Sequence, residues 1–288
     1  MSQLAEPPVE VADGYRAGRT LPFRVELVRQ LKRRRTQVMG GVLFALPVIL
    51  LIAFQVGGDP GGNNNRVNLM DTATASGANF AAVNLFSAAG FLLVIPVALF
   101  CGDTVASEAS WSSLRYLLAA PVPRARLLWS KLAVGLTLSL AAMVLLPVVA
   151  LVVGTTAYGW GPLELPTGGT LPTGTAAQRL LIVVAYIMVS QLVTAALAFW
   201  LSTRTDAPLG AVGGAVFLTI IGSVLDEVTA LGDWRHFLPA HWQYAWLDAV
   251  RPQLEWSDMI QGTSISVTYA LVLFALAFRG FARKDVVS

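Results

Sequence analysis

Charge is scarce in this sequence of 288 residues, where 20 Lys and Arg and 17 Asp and Glu amount to 13% of the chain. An ordinary soluble domain carries roughly 25%, so a soluble two-domain protein is the first class to fall. One cysteine, Cys101, is present, which excludes an internal disulfide and with it a disulfide-stapled secreted fold. Histidine is almost absent. His236 and His241 stand five apart, which is not the i, i+4 spacing of a helical zinc pair, and neither Cys nor a His-Glu-x-x-His motif supports them. No apolar stretch carries a histidine, so a serine such as Ser190 or Ser223 has no base to activate it, and a membrane hydrolase is disfavoured. The only lysines are Lys32, Lys131 and Lys284, and none follows the glycines of a phosphate-binding loop, so the chain does not hydrolyse ATP itself.

What is abundant is apolar, with 55% hydrophobic residues. Stretches of about 18 or more residues free of acidic, basic and His side chains are long enough to cross a ~30 Å hydrocarbon layer. Six occur, at about 38–57, 79–101, 132–154, 180–201, 207–225 and 259–278. The fifth is short and glycine-rich, and the sixth opens on a polar turn at Gln261–Ser266. The expected fold is an all-α integral membrane protein of six transmembrane helices. Lys and Arg are retained on the cytoplasmic side, and here they divide 16 to 4 between alternate connecting segments. That split over an even number of spans places both termini in the cytoplasm. Because the basic residues sort by membrane side rather than forming one patch, no nucleic-acid partner is expected. The first apolar stretch follows a 37-residue polar arm with no small-residue cleavage site, so no signal peptide is expected.

Residues 1–21 mix acids, prolines and glycines without period and read as a disordered cytoplasmic tail. Over 22–37, Phe23, Leu27 and Leu31 recur every fourth residue while Arg24, Arg29 and Arg33 point elsewhere, the pattern of an amphipathic helix lying on the membrane lipid. The six-span domain fills 38–280 and a second tail 281–288. Between the last two spans, residues 226–258 gather Trp234, Phe237, Trp242, Tyr244, Trp246 and Trp256, as expected of short helical turns in the interface.

Ionisable groups inside the bilayer are costly and mark gradient-driven transport; the six stretches hold none except Cys101 and tyrosine phenols. Polar pairs three apart, Asn84 with Ser87 and Gln191 with Thr194, each share a helix face and serve either as interhelical hydrogen bonds or as a pathway. Gly210 and Gly214 make a Gly-x-x-x-Gly stripe, with Gly222 further along it, which suits close packing within a subunit or contact with a second one. The segment Gly102–Lys131 is the most informative. Glu108, Trp111 and Arg115 fall on one helical face with Leu114, Leu117 and Leu118 nearby; Pro121 and Pro123 end that helix, and a second begins at about Arg124. A plain linker needs neither a Trp nor a helix break, so this segment reads as a docking surface.

These residues resemble the permease subunits of ABC transporters of the ABC type 2 export family, over nearly the whole chain past Pro22. Three stretches carry the resemblance: Gly102–Lys131, Leu238–Leu247 with its sequence LPAHWQYAWL, and the tail Phe281–Asp285. The resemblance implies a cytoplasmic coupling helix formed by Glu108, Trp111, Leu114, Arg115 and Leu118, and short outer re-entrant helices before the last span. It also implies two copies of a cytoplasmic ABC ATPase that bind ATP and Mg, this chain binding no cofactor, and a second permease subunit, identical or homologous. The setting implied is a bacterial cell membrane and the cargo a drug, antibiotic, lipid or other amphiphile. One departure is visible, Ser112-Ser113-Leu114 where the family often has Gly-Thr-Leu after an acid. A different class is a non-transporting scaffold or sensor subunit that binds a partner through its outer aromatic segment.

Overall fold

The computed structural model describes residues 23–57, 69–110 and 124–283. The chain is a helical membrane protein. Five helices are long and apolar enough to span, and six if one bent pair counts as a single span.

The amphipathic arm is shorter than its pattern suggested: α1 covers Phe23–Leu31, a turn at Lys32 and Arg33 follows, and α2 runs Arg34–Gly57. α1 turns Glu26 and Gln30 inward and leaves Phe23, Val25, Val28 and Leu31 exposed. The helix therefore packs its polar stripe on the protein and offers its apolar residues outward. α2 buries only Leu43 and Pro47, which are four apart on the face toward α5. Pro47 cannot donate to the Leu43 carbonyl, so the ladder is interrupted where the helix is covered.

The second span is broken. α3 (Gly77–Ala89) and α4 (Val94–Ser110) meet at 53°. Pro96 lies in the first turn of α4, where a missing N–H is tolerated, whereas a continuous helix would drive its ring against the Leu92 carbonyl. Gly90 fills the corner because a Cβ there would collide with the Tyr244 hydroxyl. At the start of α3, Asn79 accepts from the Glu164 N–H at 2.9 Å and donates to its carbonyl at 2.8 Å. That pair ties α3 to the two-residue strands β1 (Leu163–Glu164) and β2 (Thr170–Leu171), which form the one β-ladder among the described residues.

α5 (Arg124–Tyr158) is 35 residues long, or about 52 Å at 1.5 Å per residue, and so extends well past a hydrocarbon layer of about 30 Å. α6 (Thr173–Ser190) and α7 (Leu192–Arg204) form one apolar stretch interrupted at Gln191. α8 (Pro208–Glu227) buries only Ala211 and Ala215 and packs on α4 and α7. A kinked 3-10 stretch η1 (Thr229–Phe237), then η2 (Pro239–Trp242) and η3 (Ala245–Val250), lead to α9 (Ser257–Ala282). These helices extend at one end or both beyond the apolar stretches that announce them.

Two apolar clusters hold these parts together. One surrounds α3 with residues from α2, α5, α6 and η3; the other joins α4 to α5, α7, α8 and α9. Trp246, fully buried, carries the 3-10 segment into the first cluster. Tyr186 donates to the Trp242 carbonyl at 2.6 Å, and Gly262 of α9 lies directly under both residues.

A Cβ at Gly262 would stand 2.6 Å from that of Trp242 and closer still to the Tyr186 hydroxyl, whereas one at Gly213 would meet nothing. Gly262→Ala is expected to lower stability by about 1–3 kcal/mol and Gly213→Ala to leave it unchanged or raise it by up to ~1 kcal/mol. Thermal unfolding in detergent compares the two; equal midpoints would show that the α6–α9–η2 contact is loose.

Candidate functional site

Helical spacing puts Glu26, Arg29 and Gln30 on one face of α1. On α4, Asp103 and Glu108 are five apart and point about 140° away from each other. They consequently take different partners.

Glu108 joins α1 and α5. Lys131 of α5 places its Nζ 2.8 Å from Oε1 of Glu108 and 2.8 Å from Oε1 of Glu26. Arg29 donates to Glu26 and to Glu108, and Gln30 donates to Glu26 at 3.0 Å. Lys131, Glu108 and Glu26 are all buried, with 3%, 2% and 7% of their surface exposed. Asp103 forms the second half: Arg33 donates to Oδ2 at 2.7 Å and Arg35 to Oδ1. Three carboxylates therefore face four cations where α1, the start of α2, the end of α4 and the start of α5 meet. Burial alone would raise the Glu26 carboxyl, but the Lys131 charge and the hydrogen bonds from Arg29, Lys131 and Gln30 outweigh it and hold the group below the usual carboxylate range. Burial likewise works against the charged Arg29, and the hydrogen bonds and charges of Glu26 and Glu108 overcome it, so its pKa lies above the ordinary value.

The sequence placed Glu108 at the head of a docking helix beside Arg115. In the structure it lies in the last turn of α4, paired with Arg29 and Lys131. Trp111, Leu114, Arg115 and Leu118 lie outside the described residues. Of the arginines assigned to the interfacial helix, Arg29 and Arg33 pair within the cluster, while Arg24 is exposed. Sequence reasoning missed Glu26, Asp103, Lys131 and Arg35. The available signal was that acids are rare beside basic runs, and that Lys131 is one of three lysines.

The polar pairs within the spans diverge. Asn84 and Ser87 donate to carbonyls of their own helix, Phe80 at 2.8 Å and Val83 at 2.9 Å. Gln191 and Thr194 both line a cleft between α7, α8, α9 and η2. Gly210 is exposed; Gly214 faces Leu201 of the same chain, and Gly222 faces Ala240. At the opposite end of the molecule, His241 pairs through Nδ1 with Asp226 at 2.7 Å, and its ring stands edge-on to that of His236 at 4.8 Å. No cluster of three or more His, Cys, Asp or Glu side chains that could hold a metal occurs among the described residues.

The family described as "Protein of unknown function (DUF2705)" matches residues 62–287 of this chain. The chain belongs to the DUF2705 family. No curated protein matches it. The DUF2705 region contains Asp103, Glu108 and Lys131, but Glu26, Arg29, Arg33 and Arg35 precede it. The ion cluster is therefore completed by a segment outside the matched part of this DUF2705 member.

Removing one partner from a buried ion pair costs about 3–5 kcal/mol because the other charge is left without compensation. Lys131→Met is expected to destabilise by that order, and Lys131→Met with Glu108→Met by less than the two single changes added together. A double-mutant cycle from chemical denaturation reads the coupling, and additivity would show that the pair is solvated. Since the folded-state pKa of Glu26 is depressed, its contribution is full above the ordinary 4.5 and is lost as pH falls through the lowered value. Hydrogen exchange of the α1 amides, corrected for intrinsic rates, should show protection above that range and fraying below it. Glu26→Gln should fray at every pH.

Proposed function

We propose that this chain is the permease subunit of an ATP-binding cassette exporter, forming the transmembrane pathway and driven by a separate cytoplasmic ATPase. In this reading two six-span subunits, identical or homologous, pair in a bacterial cell membrane with both termini inside. α3 and α4 are one broken span, α1 is the interfacial helix, and η1–η3 are the outer re-entrant turns. Two ATPase copies carry ATP and Mg. Glu108 to Leu118 makes the contact with them, and Gly210 and Gly214 are a candidate contact between permease subunits.

The observation that carries the reading is the Glu26–Arg29–Glu108–Lys131 cluster. A permease without its own energy source must receive a push on its cytoplasmic side and pass it to its spans. Ions buried and cross-linked at the junction of α1, α4 and α5 give such a device: a load on residues 111–123 is borne by two span-forming helices and by the leaflet-facing α1 together. Support also comes from α5, which extends past the apolar layer and brings Lys131 to that junction. Separating two unlike charges held in a dry site is costly, so the joint moves as one piece.

Tagged chain purified from its native membrane in mild detergent is expected to bring down an ATPase in equal amount. Trp111→Ala should reduce recovery of that ATPase at least tenfold, since truncating a large aromatic anchor can cost ~2 kcal/mol or more. Glu108→Gln should keep the ATPase bound while lowering ATP hydrolysis in lipid. A chain that purifies with no ATPase would refute the exporter and favour the scaffold, for which exposed Trp234 and Phe237 offer a surface.

A further inference from the structure

α8 and α9 barely touch each other; both pack on α7, and η2 lies across the top of the gap. The cleft left between them has a volume of about 290 Å³ and bears Leu218 and Tyr269, both roughly two-fifths exposed. That volume stands at the lower end of the roughly 300–1,000 Å³ of small-molecule pockets. Its wall contains no acid, base or histidine.

Gln191 lies at the bottom, in the interruption between α6 and α7. Its side chain is 95% buried, its Nε2 donates to the Ala89 carbonyl at 3.2 Å, and its Oε1 has no partner among the described residues. The orientation of the amide is fixed by chemistry, since a carbonyl oxygen can only accept and so must meet the nitrogen end. The unpartnered acceptor therefore belongs to a residue of the cleft wall. A buried acceptor without a donor carries a desolvation penalty that a bound hydroxyl or N–H would remove.

We propose that this cleft is a binding site for a neutral amphiphile, an apolar molecule bearing a hydroxyl or N–H that enters from the leaflet on the η2 side between α8 and α9 and donates to Gln191 Oε1. Neutrality follows from the wall, which has nothing to compensate an ion removed from water. Entry from the leaflet follows from the mouth, whose rim residues belong to two span-forming helices. Thr194, beside Gln191, supplies a second polar contact on the same wall, and Gly222 keeps the α8 side open. The site deepens the exporter reading by naming the class of its cargo, and rests on that reading for movement but not for binding.

The test uses the full chain in phosphatidylcholine nanodiscs without any ATPase. Three photoactivatable probes of one chain length are compared: a long-chain alcohol, its methyl ether and the corresponding carboxylate at pH 8. The alcohol is expected to label the peptides containing Leu218 and Tyr269 about fivefold more than the ether, the worth of one net hydrogen bond, and more than the carboxylate. Gln191→Leu should reduce the alcohol to the level of the ether, and Gly222→Phe, which fills the cleft, should suppress all three. Equal labelling by alcohol and ether in the unaltered chain would overturn the proposal, and that comparison needs no variant to fold. Carboxylate labelling equal to that of the alcohol would overturn neutrality. Because no ATPase is present, failure here leaves the exporter reading standing, and failure to copurify an ATPase leaves the labelling result standing.

Discussion

Lys131 lies 2.8 Å from the carboxylates of Glu26 and Glu108 in a site almost closed to water, and the arrangement of the charged end of the molecule follows from that constraint. An ammonium group in a dry site needs acceptors on more than one side, and no single helix can supply them. Glu108 arrives from α4 and Glu26 from α1, so satisfying one lysine fixes three helices relative to each other. Arg29 then bridges the same two carboxylates, which would otherwise repel. Asp103 performs the corresponding task for the beginning of α2 through Arg33 and Arg35. Buried ion pairs of this kind add little net stability compared with apolar packing. What they add is selection of one arrangement, since any shift of α1 strands a charge.

The spans obey the complementary rule. Away from the charged end, hydrogen-bonding groups are few, and two irregularities of the backbone have a local partner. The corner between α3 and α4 is closed by a glycine beneath Tyr244 and opened by Pro96. The interruption at Gln191 is met by a side-chain bond from Gln191 back to Ala89, the last residue of α3. Two broken spans are therefore stitched together at the same level. Gln191 Oε1 is one of several buried polar atoms left without a partner among the described residues.

Much of the fold was legible. Charge-free runs of about 20 residues announce spanning helices because backbone groups in lipid must be satisfied within the helix, and Pro22 to Leu31 announced α1 by its fourfold spacing. The same spacing set the apolar residues apart from the polar ones, and the structure leaves Phe23, Val28 and Leu31 exposed. Periodicity identifies two faces but not which one meets protein, and here the polar stripe with Glu26 and Gln30 turns inward because Lys131 waits there. Of the candidate site residues, Glu108, Arg29 and Arg33 were singled out from the sequence, but as contacts to a partner or a leaflet rather than to one another.

The sequence by itself determined that this chain is helical and apolar enough to lie in a membrane, because composition and run length act locally and additively along the chain. Tertiary structure alone decided which charges meet, where the second span bends and that the Gln191 amide bonds back to Ala89 beside a cleft. Those outcomes depend on residues far apart in sequence, 105 positions in the case of Glu26 and Lys131 and 102 in that of Gln191 and Ala89. An ion pair or a hydrogen bond forms only when folding has brought both partners within about 3 Å, and no periodicity in either segment records the identity of its partner in the other.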